Sequence, residues 1–218
     1  MLSIVATPIG DTNEISVRAL DVLRESDVII CESTKEASKL LRSHGISGKI
    51  YEVLDEHSTP EDKQALVPLC AEKKVALVSD CGTPGFCDPG ADLVRLCRQK
   101  NIPVKSVLGP SALMGVLSLS GQRLDEFVFR GFLPAETEAR GKACRELTKE
   151  KRAIILMDTP YRMKKTLNDM KEHFSDRRFL LVMNLSQEDE CVLEGSIDKL
   201  ISGLPYEKAE FMLLMYPR

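Results

Sequence analysis

Two carboxylates are the first candidates for chemistry in this chain. Glu32 follows an apolar run that reads as a strand over 27–31. Asp88 lies in the run Ser79-Asp80-Cys81-Gly82-Thr83-Pro84-Gly85-Phe86-Cys87-Asp88-Pro89-Gly90. A carboxylate beside a cleft can take the proton from an attacking hydroxyl, so both are candidate catalytic bases. Each also has a plainer role. Asp88 can close its loop by accepting from backbone amides, and Glu32 can favour the helix that follows it as an N-terminal charge. Of the three histidines, His44 and His173 fall at helix ends, and His57 reads as a solvated loop residue. No Ser/His/Asp set and no metal-ligand spacing stands out, so no metal centre is expected.

The loop that carries Asp88 is itself informative. Gly82, Gly85 and Gly90 allow backbone angles closed to other residues, while Pro84 and Pro89 fix φ and remove two donors. It follows Lys74-Val75-Ala76-Leu77-Val78, a buried-strand pattern. Ordinary β–α loops take only about 2–6 residues, and open α/β sheets bind ligands at the carboxyl ends of their strands. Two shorter loops share this character: Thr7-Pro8-Ile9-Gly10-Asp11 after Leu2-Ser3-Ile4-Val5-Ala6, and Gly109-Pro110-Ser111-Ala112 after Val104-Lys105-Ser106-Val107-Leu108. Neither GxGxxG nor a Walker lysine motif is present, which disfavours ordinary dinucleotide and P-loop sites.

The elements that must position these loops alternate. Strands are expected at 2–6, 27–31, 49–53, 74–79 and 103–108, with helices at 15–25, 35–43, 61–73 and 90–100 between them. This is the pattern of a mostly parallel, doubly wound α/β sheet. A helix from Ser111 breaks at Ser120-Gly121, a candidate lobe boundary. Beyond it, strands at 126–131, 152–157, 178–184 and 209–216 alternate with helices at 137–149, 160–173 and 196–203. The domains are placed at 1–112 and 113–218, both α/β.

Taken in order, Ala6-Thr7-Pro8-Ile9-Gly10, Arg18 to Leu23, Ser79 to Pro84, Asp88-Pro89-Gly90, Leu108 to Ala112, Arg130-Gly131-Phe132-Leu133-Pro134 and Thr159-Pro160-Tyr161-Arg162 resemble the tetrapyrrole (corrin/porphyrin) methylase superfamily. The nearest branch is that of the bacterial small-subunit rRNA cytidine-2′-O-methyltransferases. The resemblance implies a two-domain α/β fold with the cofactor cleft between the domains, S-adenosylmethionine as cofactor, and a homodimer. It implies cofactor contacts at Pro8, Asp80, Gly82, Thr83, Pro84, Gly85, Gly109, Pro110, Ser111, Ala112, Met157, Leu185, Ala209, Glu210 and Phe211. The substrate side departs from that branch: Glu36 stands where a histidine is usual, Glu52 to His57 replace a His/Asn-rich stretch, and Asn184 to Gln187 replace an Arg-Glu-Leu-Thr-Lys element. The acceptor therefore stays open between rRNA and a small molecule or tetrapyrrole, with a noncatalytic S-adenosylmethionine-binding protein as a further alternative.

Composition bounds these readings. A net charge of −3 and a pI near 5.8 leave room only for a local phosphate-binding patch, since polyanion binders more often present a basic face. Its candidates are Arg140, Lys142, Lys149, Lys151, Arg152, Arg162, Lys164 and Lys165. Aromatics are 5% and tryptophan is absent, so no stacking platform is advertised. Seven scattered cysteines, with no CxxC, read as core or loop residues of a reducing compartment, with Cys81 and Cys87 as oxidation-sensitive loop positions. No run approaches the roughly 18 apolar residues of a membrane span, and the N-terminus has no secretory pattern. A cytoplasmic enzyme without membrane association is expected.

Overall fold

The computed structural model describes residues 1–86 and 88–218; Cys87 lies outside them. The chain divides into two compact units, Met1–Ser111 and Ala112–Arg218.

The first unit holds strands β1 (Leu2–Val5), β2 (Val28–Cys31), β3 (Ile50–Val53), β4 (Val75–Leu77) and β5 (Val104–Val107), and helices α1 (Val17–Glu25), α2 (Thr34–Ser43), α3 (Pro60–Ala65), α4 (Val67–Glu72) and α5 (Gly90–Gln99). The sheet order is β3-β2-β4-β1-β5, and every pairing is parallel. Alternation along the strands feeds two cores. Ile29 and Cys31 of β2 pack with Ala19, Leu23, Ala37 and Leu41 of α1 and α2. Val28 and Ile30 pack on the opposite face with Val67, Cys70, Leu93 and Cys97 of α4 and α5. Continuous apolar strands are what a parallel sheet covered on both faces requires.

One expected helix, 61–73, is two. Pro68 lies in the first turn of α4 and Leu66 joins it to α3; without an N–H, Pro68 cannot continue the hydrogen-bond ladder of the preceding turn. Thr59 and Asp62 form a reciprocal capping box at the start of α3.

The second unit contains α6 (Ala112–Leu119), β6 (Phe127–Gly131), α7 (Thr137–Leu147), β7 (Ala153–Asp158), α8 (Met163–His173), β8 (Arg178–Met183), β9 (Cys191–Ser196), α9 (Ile197–Ser202) and β10 (Phe211–Met215). Its sheet order is β6-β7-β10-β8-β9. Only β6 and β7 run parallel; β10 is antiparallel to both β7 and β8. Helices α7, α8 and α9 cover one face, and α6 packs Val116 against the other with Ile155, Val182 and Leu214. The Ser120-Gly121 break thus ends a helix inside the second unit rather than separating two lobes. β9 was not expected; it is an edge strand whose alternate residues are exposed. Among the described residues no helix is long and apolar enough to cross a membrane.

Candidate functional site

Three loops separated by up to about a hundred residues are knitted into one rim at the carboxyl ends of β1, β4 and β5. The Thr7 amide donates to the Gly82 carbonyl at 2.8 Å, and the Gly82 amide donates back to Pro8 O at 3.3 Å. Thr7 Oγ1 reaches Ser79 O at 3.0 Å, and Ser79 Oγ reaches Gly82 O at 3.1 Å. Thr83 Oγ1 then donates to Pro110 O at 2.9 Å, tying the third loop in. Gly82 and Gly85 adopt φ of +82° and +81°, a left-handed region that costs other residues about 1–2 kcal/mol. A Cβ on Gly85 would meet nothing within 4 Å, whereas one on Gly109 would lie 3.0 Å from Ala6 Cβ. Gly85 thus leaves space against exposed backbone, and Gly109 lets the β5 loop pass close over β1. Pro8, Gly82 and Pro84 are buried, while Asp80, Thr83, Gly85 and Gly109 are exposed.

Asp88 holds the same rim from within. Its Oδ1 accepts from Gly85 N at 2.7 Å and Gly90 N at 2.9 Å, and its Oδ2 from Gly85 N at 2.8 Å and Phe86 N at 3.3 Å. Both oxygens are engaged by backbone, the loop-closing arrangement.

Glu32 stands differently. The Asp80 amide donates to Glu32 Oε1 at 3.4 Å, and the Ser33 amide donates to Asp80 Oδ1 at 3.2 Å. Burial pushes the Glu32 carboxyl up; the Asp80 amide opposes this, and the charges of Asp80, Asp88 and Glu56 reinforce it. Burial also raises Asp80, against the Ser33 amide and with the charge of Glu36. Glu32, Asp55, Glu56, His57 and Asp88 line one open cavity of about 580 Å³. The two candidate bases and the loop histidine, up to 56 residues apart in the chain, therefore share one concavity. A neighbouring cavity of about 250 Å³ is lined by the Thr7–Gly10 loop, Asp80, and Glu36 and Lys39 of α2.

In the second unit, the other expected contact residues gather at one end of the sheet. Phe211 lies opposite both Asp158 and Met183, and Met212 opposite Met157. Asn184 N donates to Glu210 O at 2.8 Å. Leu185 packs so closely on α6 that a Cβ on Gly115 would stand 2.8 Å from its Cδ2. Asn184 and Ser186, on either side of Leu185, have φ of +48° and +66°. Such strain in non-glycine residues concentrates at ligand sites; the sequence marked this stretch as a departure from the family element, but not its left-handed backbone.

One expected site residue belongs elsewhere. Arg140 is 1% exposed and cannot contribute to a surface phosphate patch. Its Nε donates to Asp169 Oδ2 at 2.6 Å, Nη1 to Asp158 Oδ2 at 3.1 Å, and Nη2 to Thr166 Oγ1 at 2.7 Å. A buried guanidinium survives only with such partners. Arg162 pairs with Asp158 Oδ1 at 2.9 Å, Arg152 with Glu150 at 2.6 Å and Lys164 with Glu207, leaving Lys142, Lys149, Lys151 and Lys165 as the exposed cations of the expected patch without an ion pair among these contacts.

A rim of backbone and short side chains, joined to a cavity holding a carboxylate with raised proton affinity, suits group transfer to a protic acceptor. The chain belongs to the tetrapyrrole (corrin/porphyrin) methylase family, whose pattern it matches over residues 1–201, and it is an S-adenosylmethionine-dependent methyltransferase. It is 36% identical over 220 residues to the ribosomal RNA small subunit methyltransferase I of Neisseria meningitidis serogroup B, covering 99% of this chain and 76% of that protein. It is also 36% identical over 207 residues to the protein of the same name from Thermotoga maritima, covering 95% and 93% respectively. Among solved structures, a diphthine synthase superposes with a TM-score of 0.77 at 15% identity, over 99% of this chain and 89% of that one. A cobalt precorrin-4 methyltransferase does so with 0.68 at 16%, over 99% and 94%. These two likenesses speak for the fold.

Proposed function

We propose that this protein methylates a ribose 2′-hydroxyl of small-subunit rRNA. The observation that carries the reading is the 36% identity, over nearly the whole chain, to relatives named for small-subunit rRNA methylation. Bound S-adenosylmethionine supplies an electrophilic methyl group. The residues present fit such a cofactor: the first unit offers a clasped backbone rim at Pro8, Asp80 to Gly85 and Gly109 to Ser111, with open space at Gly85 and an exposed carboxylate at Asp80 suited to ribose hydroxyls. By the resemblance, Ala112, Met157, Leu185 and Ala209 to Phe211 are further expected contacts, and Met157, Leu185 and Ala209 to Phe211 gather at one end of the second unit's sheet.

Glu32 is the base in this reading. Glu32 would take the proton of the acceptor hydroxyl as that oxygen receives the methyl group, and burial raises the proton affinity of its carboxylate. Asp88, with both oxygens occupied by amides, keeps the rim in shape. We read the protein as a cytoplasmic homodimer on the strength of the resemblance; sedimentation equilibrium tests the oligomer. The function is tested by incubating labelled S-adenosylmethionine with small-subunit rRNA and with small-molecule pools from cell extract. Label in the RNA supports the reading, and label confined to a small molecule refutes it.

A further inference from the structure

Tyr161 is a large ring that the fold of the second unit does not use. It sits in the short 3₁₀ turn Pro160–Arg162 and is 81% exposed. The turn beneath it is nonetheless fixed. Thr159 N and Arg162 Nε both bond Asp158 Oδ1 at 2.9 Å. Asp158 Oδ2 is held by Arg140 and Thr166 at 3.1 and 3.2 Å. Lys208 stands over one face of the ring, its Nζ 4.8 Å from the centroid. The strand register puts both residues at the end of the sheet that carries Met157, Leu185 and Ala209 to Phe211, because Asp158 lies opposite Phe211.

We propose that Tyr161 and Lys208 form a stacking platform for an unpaired base of the RNA acceptor, with Lys208 also meeting the adjoining phosphate. This rests on the RNA reading above. An ammonium over one face leaves the other to solvent, and a base can stack there whatever its identity, since every base has a π-face. The lysine stays attracted to the ring while it neutralises backbone charge. Anchoring the turn through Asp158 means little ordering remains to be done on binding. The composition gave no hint of this: a single tyrosine suffices when a strand-end turn presents it and a lysine 47 residues later in the chain covers it.

The test measures, for the wild type, Tyr161→Ala, Tyr161→Phe and Lys208→Ala, binding of a fluorescein-labelled single-stranded RNA oligonucleotide by anisotropy, binding to assembled small ribosomal subunits, and methyl transfer to small-subunit rRNA. S-adenosylhomocysteine is titrated into each by calorimetry, and thermal unfolding is recorded. Tyr161→Ala should weaken RNA binding about tenfold or more. Tyr161→Phe should stay within about threefold of wild type because the ring persists. Lys208→Ala should flatten the salt dependence. Affinity for S-adenosylhomocysteine should not change in any of them. Wild-type affinity in Tyr161→Ala, or equal losses in the Ala and Phe variants, would overturn the platform. So would a loss seen only with assembled ribosomal subunits, which would assign the ring to a protein contact. Tyr161-dependent binding without methyl transfer to any RNA would uphold the platform and reject the proposed function. A wild type that binds no RNA would reject both.

Discussion

Glu32 and Asp80 hold one another by crossed hydrogen bonds at the ends of adjacent parallel strands. The amide of Asp80 donates to the Glu32 carboxylate, and the amide beside Glu32, that of Ser33, donates to the Asp80 carboxylate. Burial raises both carboxyls; the charge of Asp80 adds to the rise at Glu32, and that of Glu36 to the rise at Asp80. The clasp fixes the orientation of Glu32 beside the cavity it lines, with its carboxyl raised by burial.

Glu32→Gln keeps the shape and the acceptor oxygen but removes the base. Its kcat should fall by about 10²–10⁴-fold, with S-adenosylhomocysteine affinity little changed. The folded-state proton affinity of Glu32 is raised, so the stability linked to its protonated form is full below the unfolded pKa and is lost as pH rises through the folded one. At neutral pH the ionised side chain is a net cost, so Glu32→Gln should leave Tm unchanged or raise it. Transfer by the wild type should fall as pH drops through the raised folded-state pKa of Glu32. An active Glu32→Gln variant would remove Glu32 from the mechanism.

Asp88→Asn separates loop closure from base catalysis. An amide presents one acceptor oxygen where Asp88 offers two to the Gly85, Phe86 and Gly90 amides. Stability should fall by about 1–3 kcal/mol and cofactor affinity by roughly tenfold, which denaturant titration and calorimetry would read. At saturating cofactor kcat should stay within about tenfold of wild type; a loss of about 10³-fold would make Asp88 the base instead.

Much of this site could be read along the chain because its information is local. Gly82 and Gly85 follow an apolar strand within one loop, and a left-handed φ there demands glycine. The alternation of apolar strands and amphipathic helices dictated the parallel first sheet. Other features depend on residues that the sequence keeps apart. Arg140 looked like a surface cation, and only its distant partners Asp158 and Asp169, 18 and 29 positions on, reveal it as buried. Strand β9 was missed because an edge strand with half its residues exposed and a glycine at φ +150° carries a weak apolar signal.

Two glycines of the rim should respond differently to a side chain. Gly82→Ala has room, with no atom closer than 3.8 Å, and bears only the left-handed strain, about 1–2 kcal/mol; its main effect should be weaker cofactor binding. Gly109→Val drives a branched side chain against Ala6, where even a Cβ stands 3.0 Å away, and should lower stability by about 1–3 kcal/mol or more. Thermal unfolding alongside calorimetry distinguishes the two.

Arg140→Met should leave Asp158 and Asp169 without their buried cation and destabilise the protein by about 3–5 kcal/mol, read as a lower denaturant midpoint. The salt dependence of RNA binding should not change. A flattened salt slope in a stably folded Arg140→Met variant would return Arg140 to the phosphate-binding surface.

Methyl transfer to rRNA with Glu32 as the proposed base can be measured directly. The direct measurement supplies labelled S-adenosylmethionine to the wild type and to Glu32→Gln, with small-subunit rRNA both free and in assembled subunits. The modified nucleotide is then mapped by the resistance of its 3′ linkage to alkali, which a 2′-O-methyl group confers. Alkali-resistant label should appear in rRNA from the wild type and almost none from Glu32→Gln. Wild-type protein that binds S-adenosylhomocysteine yet labels neither form of the RNA, or labels it equally with and without the Glu32 carboxylate, would contradict methyl transfer to rRNA through Glu32.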